Sequence, residues 1–64
     1  MANDFTVVIR GYDRGQVDAA LVQAAQLLEA GQSAAFLSGK KFDVVLRGYD
    51  RGQVDTHIQE LLRR

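Results

Sequence analysis

The residues best suited to chemistry in this chain form an Arg-Gly-Tyr-Asp segment that occurs twice, at residues 10–13 and 47–50. A guanidinium and a glycine turn ahead of a helix could form an anion site, because the free N–H groups at a helix N-terminus attract negative charge. The aspartates that end both segments, Asp13 and Asp50, would repel a phosphate there. We therefore expect a structural corner, in which the tyrosine ring covers the junction between a strand and a helix.

No other grouping in the sequence is typical of an enzyme or a metal site. The chain has no Cys and a single His, His57, which excludes disulfides, thiolate sites and a multi-histidine site within one chain. No Ser has a nearby base, and neither paired carboxylates in an apolar setting nor a phosphate loop is present. We predict a protein without catalytic residues, metal or cofactor, in which His57 is a half-exposed helix residue.

The two segments belong to a longer internal repeat. Residues 5–18 (FTVVIRGYDRGQVD) and 42–55 (FDVVLRGYDRGQVD) are identical at 12 of 14 positions with an offset of 37, and the exceptions are Thr6/Asp43 and Ile9/Leu46. One physical unit is therefore used twice. We divide the 64 residues into two repeats, 4–30 and 41–64, joined by a linker at 31–40 within one domain.

Each repeat begins with a pattern typical of a β-strand. Apolar residues alternate with others, and β-branched residues favour extended backbone. The predicted apolar faces consist of Phe5, Val7 and Ile9 in the first repeat and Phe42, Val44 and Leu46 in the second. We expect Gly11 and Gly48 to end the strands, because glycine permits a turn conformation there.

The residues after each strand predict an amphipathic helix. Asp13 and Gln16 have the spacing of a capping box, in which the Asp accepts from a free helical N–H and the Gln reaches back; Asp50 and Gln53 repeat it. We expect the first helix from about residue 14 to 30, stopped by Gly31, and the second from 51 to the terminus. The apolar stripes at helical spacing are Val17, Leu21, Ala24 and Leu28, and Val54, Ile58, Leu61 and Leu62.

A lone strand with a lone helix cannot bury its apolar stripe, so the two repeats are expected to pair. We predict an α+β fold, a tandem β-α repeat whose two-stranded sheet packs against two amphipathic helices with pseudo-twofold symmetry. Antiparallel pairing is favoured because a twofold axis perpendicular to the strands demands it; a parallel βαβ crossover is the competitor. In the linker, Ser33 is expected to cap a turn that tucks Phe36 and Leu37 under the sheet.

The repeated motif resembles the N-terminal domain of the DivIVA family, bacterial scaffolds of cell division and cell poles. The resemblance is carried in each repeat by an initial Phe, an Arg-Gly-Tyr-Asp turn and a Val-Asp pair, namely Phe5, Arg10, Gly11, Tyr12, Asp13, Val17 and Asp18, and Phe42, Arg47, Gly48, Tyr49, Asp50, Val54 and Asp55. It implies an intertwined dimer leading into a coiled coil, although the present helices are too short for a sustained coiled coil.

The resemblance also implies a membrane contact. In the family, the position before the Arg is typically an exposed apolar residue that dips into the membrane beside the Arg, which transfers here to Ile9 with Arg10 and Leu46 with Arg47. In the alternative interpretation, Ile9 and Leu46 complete the internal apolar face and the arginines pair with nearby aspartates. Both interpretations stay open on the sequence alone.

We interpret the chain as a small scaffold or adaptor that self-associates or binds a bacterial division or polarity protein. Val8 and Val45, which the internal core does not need, are candidate contacts, with the stripe edges Ala20, Ala24 and Ala25. The first alternative is a peripheral membrane module that uses the two apolar-Arg pairs.

A ribbon-helix-helix DNA binder is the second alternative, disfavoured because eight basic and eight acidic side chains cancel. The N-terminal segment MANDF lacks the features of a signal peptide. We therefore expect a cytoplasmic protein that can meet the inner face of the membrane or the cell pole.

Overall fold

The elements alternate between strand and helix. The computed structural model describes residues 5–63, so the repeat limits placed at residues 4 and 64, the rest of the N-terminal segment and Arg64 lie outside the described residues. Strand β1 spans Val7–Tyr12, helix α1 Arg14–Glu29, strand β2 Val44–Tyr49 and helix α2 Arg51–Leu62, with a 3₁₀ turn at Ala35–Leu37. The predicted α+β tandem repeat is confirmed.

The strands form a two-stranded sheet with antiparallel register, as predicted. Val7 lies opposite Tyr49 and Tyr12 opposite Val44, so the partner number falls as the chain advances. Backbone hydrogen bonds extend the pairing beyond both ends: Asp13 N–H donates to the Asp43 carbonyl, and Asp50 N–H to the Thr6 carbonyl, both at 2.8 Å. The alternative of a parallel crossover is wrong.

Two glycines lie inside the strands and not at their ends, which corrects the prediction for Gly11 and Gly48. A Cβ on Gly11 would overlap the backbone carbonyl of Gly48, and a Cβ on Gly48 would overlap that of Gly11. The repeats therefore cross with their backbones in direct contact, which only glycine permits.

The predicted apolar floor of the sheet is wrong for most of its members. Val7, Ile9, Val44 and Leu46 are 47%, 75%, 50% and 71% exposed, and only Phe42 enters the core, with Phe5 half-buried against it. The middle of each strand is therefore left uncovered by the helices. The core instead joins the helices and the linker through Val17, Ala20, Leu21, Ala24, Ala34, Leu37, Phe42, Val54 and Ile58.

The helix ends follow the local sequence signals. Asp13 and Asp50 accept through Oδ1 from the N–H of Gln16 and Gln53 at 3.0 Å, so both predicted N-caps are confirmed. Helix α1 ends one residue early, and Gly31 follows it with φ of +75°, the left-handed stop that was predicted. Helix α2 ends at Leu62 and not at the terminus.

The linker is anchored to the core. The Ser33 hydroxyl accepts from the Ala35 N–H at 3.1 Å, but the N-cap residue of the 3₁₀ turn is Ala34 and not Ser33, which corrects the cap prediction. Leu37 is buried in the core and Phe36 is half-buried against it, and the turn that carries them contacts α2.

Candidate interaction surface

The corner tyrosines reach across to the opposite repeat. The Tyr12 hydroxyl donates to Asp55 Oδ1 at 3.1 Å, and the Tyr49 hydroxyl donates to Asp18 Oδ1 at 2.9 Å. The rings also cross, since Tyr12 packs on Phe42 and Tyr49 on Phe5 with centroids 5.3 and 5.2 Å apart. Each tyrosine thus covers a corner, as predicted, but it does so as part of the contact between repeats.

The glutamines of the capping boxes form a second set of cross-repeat bonds. Gln16 accepts from the Asp43 backbone N–H at 2.9 Å and donates through Nε2 to Asp43 Oδ2 at 3.0 Å. Gln53 accepts from the Thr6 N–H at 2.7 Å and donates to Thr6 Oγ1 at 3.2 Å. The prediction that these glutamines reach back to their own caps is wrong, because the capping N–H groups bond to the other strand instead.

We call this mutual contact the clasp; it comprises Gly11, Tyr12, Gln16 and Asp18 with Gly48, Tyr49, Gln53 and Asp55. All eight lie in the block that is shared by the two repeats, and the identity stops at Asp18 and Asp55, beyond which the helix sequences diverge. The block that the chain repeats is therefore the block that joins its halves.

The pKa of both tyrosines is raised above the ordinary value of 10.0. Burial is the main cause for Tyr12, followed by its hydrogen bond to Asp55, whereas the bond to Asp18 is the main cause for Tyr49, followed by burial. The neutral phenol is the form that donates to a carboxylate, so the folded protein favours the protonated state.

The tyrosine bonds predict a loss of stability in alkali. A folded pKa above the unfolded value contributes stability that is complete below pH 10.0 and disappears as the pH rises through the folded pKa. We expect Tm to fall across this range in the wild type and to fall less in a Tyr12→Phe, Tyr49→Phe variant. Thermal melts from neutral to strongly alkaline pH measure this; parallel curves would contradict the role of the bonds. At neutral pH each substitution should cost about 1 kcal/mol.

The exposed residues of the sheet make up its candidate contact surface. We call it the tip patch; it comprises the aliphatic residues Val7, Ile9, Val44 and Leu46 with the exposed arginines Arg10 and Arg47. Ile9 lies directly opposite Arg47 in the sheet, so this apolar residue adjoins an arginine from the other repeat. The interpretation in which Ile9 and Leu46 complete the internal face is wrong.

Other predicted contact residues are less accessible. Val8 and Val45 are half-buried, Ala25 is exposed, and Ala20 and Ala24 are buried in the core, so these last two cannot serve as contact surfaces. Arg10 has φ of +66°, a left-handed conformation that is uncommon for a residue with a side chain. The backbone is thus held in an unusual turn where the patch projects.

Two matching clefts flank the tip patch, each built from both repeats. One, of about 480 Å³, is lined by Arg10 and Tyr12 of β1 with Arg51 and Asp55 of α2; the other, of about 410 Å³, is lined by Arg47 and Tyr49 with Arg14 and Asp18. Asp50 and Asp13 also line them, so each holds two basic and two acidic side chains. This balance supports the expectation that the helix N-termini do not attract phosphate.

The described residues 5–63 contain no group of three or more potential metal ligands, and none of their helices is long and apolar enough to cross a membrane. His57 is half-buried with its ring 5.6 Å from that of Phe5, a packing contact that sequence reasoning missed. Comparisons with protein-family models, with curated proteins and with solved structures find no match.

Proposed function

We propose that this protein is a small adaptor of the DivIVA type, in which the tip patch binds a partner protein at the division site or pole of a bacterial cell. The observation that supports it most directly is the pair of exposed aliphatic tips, 75% and 71% accessible, that the clasp holds beside two arginines. Exposed aliphatic side chains grouped within a small domain are typical of contact surfaces.

The size of the tip patch suits a reversible contact. Each aliphatic side chain that a partner covers contributes on the order of 2 kcal/mol, before the cost of association is subtracted. Four such residues contribute about 8 kcal/mol in total, and the cost of association reduces this to a weak, reversible contact. The arginines favour a partner with an apolar groove and acidic residues at its rim.

Localisation in bacteria tests this function. We expect a fluorescent fusion of the protein to concentrate at septa or poles, and an Ile9→Asp, Leu46→Asp variant to be diffuse, because two buried carboxylates would oppose docking. Val22→Asp is the matched control, since Val22 is 57% exposed on α1 outside the patch. A diffuse wild type, or a variant that localises normally, would overturn the proposal.

A second candidate is attachment to an anionic membrane surface, as the resemblance implies. It is supported by the exposure of Ile9 and Leu46, each of which precedes an arginine in the chain, and by the pairing of Ile9 with Arg47, because aliphatic insertion and headgroup contact add together. Binding to vesicles that is lost when anionic lipid is left out separates this candidate from a protein partner.

A further inference from the structure

The two repeats share their sequence at the centre of the sheet but not their backbone conformation. Exchanging the repeats shifts each residue number by 37, so the ladder pair of Ile9 with Arg47 has an equivalent pair of Leu46 with Arg10. Within the described strands, only the first of these pairs occurs in the ladder. Arg10 instead has φ of +66° and is the only described non-glycine residue with a positive φ, whereas the identical Arg47 is not left-handed. The pseudo-twofold symmetry is therefore broken at the arginines of the tip patch.

The hydrogen bonds at the two ends of the sheet explain this break. In an antiparallel ladder, hydrogen-bonded and non-hydrogen-bonded residue pairs alternate. The Asp50 N–H donates to the Thr6 carbonyl, which makes residues 6 and 50 a hydrogen-bonded pair. The Asp13 N–H donates to the Asp43 carbonyl, which makes residues 13 and 43 another. Residues 6 and 13 are an odd number of positions apart, so the alternation must be interrupted once between them.

One residue can accommodate the interruption by leaving the regular strand conformation, as in a β-bulge. Arg10 does so in this structure. The strand sequences give little preference for Arg10 over Arg47, because the two repeats are identical at 12 of 14 positions. We propose that the protein exchanges between two states, the observed one with Arg10 left-handed and a second one with Arg47 left-handed, in which Leu46 and Arg10 form the ladder pair.

The two states differ in which aliphatic tip faces an arginine of the other strand. In the observed state Ile9 faces Arg47, and in the second state Leu46 faces Arg10. A partner that fits one of these pairs better holds the chain in the corresponding state, to the extent of its differential affinity for the two. This consequence for docking rests on the proposed function, whereas the existence of the two states does not.

Glycine substitutions test the exchange in the isolated protein. Glycine adopts left-handed backbone about as readily as right-handed, whereas other residues disfavour it about tenfold. Arg10→Gly should therefore shift the populations about tenfold toward the observed state, and Arg47→Gly about tenfold toward the second. Arg10→Ala and Arg47→Ala are the matched controls, since each removes the same guanidinium without adding this backbone preference.

The amide NMR signals of Val7 and Val44, which lie in the strands away from the substituted positions, report the populations. We expect the two glycine variants to move these signals from the wild-type position in opposite directions along one line, or to change the ratio of two sets of signals in opposite senses. The variant with both glycines should return to the wild-type position, because the two preferences cancel. Glycine variants that move the signals in the same direction, or leave them in place, overturn the proposal.

Thermal melting gives a second measurement, whose sign differs between the two possibilities. If only Arg10 can accommodate the interruption, Arg47→Gly places a glycine in a regular strand, and its Tm falls several degrees below that of Arg47→Ala. If the states exchange, Arg47→Gly folds into the second state without a strained residue, and its Tm equals or exceeds that of Arg47→Ala. A lower Tm for the glycine variant overturns the proposal. Because no partner is present, this result is independent of where the protein localises in bacteria.

Discussion

Replacing Gly11 with Ala is expected to unfold the protein at room temperature, as is Gly48→Ala. In each case the new Cβ would overlap the carbonyl of the opposite glycine and a second backbone oxygen. A backbone overlap cannot be relieved by a rotamer change, so the crossing must separate at a cost of about 3 kcal/mol or more. A domain of this size has about 3–5 kcal/mol in total, and far-UV circular dichroism with thermal melting should show the loss.

Gly15→Ala is the matched control. Its Cβ would meet only Asp13 Oδ1, at an ordinary contact distance of 3.4 Å, inside the first turn of α1. Alanine favours helix over glycine by up to about 1 kcal/mol, so Tm should rise by a few degrees. A folded Gly11→Ala protein with a Tm close to that of Gly15→Ala would show that the strands do not cross as described.

Local signals predicted much of the fold because their partners are near in sequence. The caps at Asp13 and Asp50 and the stop at Gly31 depend on residues three or four positions away, and all three are present. The antiparallel pairing followed from symmetry, since 12 shared positions invite a twofold arrangement. Repetition thus supplied long-range information that a single copy of the motif lacks.

The errors have a common physical cause, which is a distant contact that outcompetes a local one. Gln16 has capping-box spacing to Asp13 but bonds to Asp43, 27 residues away, because the Asp13 N–H already donates across the sheet. Gly11 looked like a strand end, and its need for glycine comes from Gly48 on the other repeat. The alternation of apolar residues with others predicted which residues share a face of each strand. It did not predict that the helices leave this face exposed.

The exposure of this strand face also creates the candidate site. Because the core is built by the helices and the linker, the aliphatic residues in the middle of both strands are not needed for folding and remain accessible. Within the described residues, these side chains stay in contact with water, so the free energy of burying them is not gained. Exposed aliphatic residues of this kind are suited to contact, and the adaptor proposal rests on them.

The second large effect is expected at the tip patch, where a double substitution should weaken binding strongly and change the thermal stability little. Ile9→Asp with Leu46→Asp should leave Tm within about 8 °C of the wild type, because each substitution at an exposed position changes stability by about 0.5 kcal/mol or less. If the patch inserts into anionic vesicles, the loss of two aliphatic contacts of about 2 kcal/mol each should weaken binding about 1,000-fold. Vesicle sedimentation at low salt measures the affinity, and Val22→Asp should bind as the wild type does. Equal binding by the wild type and the double variant would exclude the tips as the contact, and a large fall in Tm would show that they support the fold.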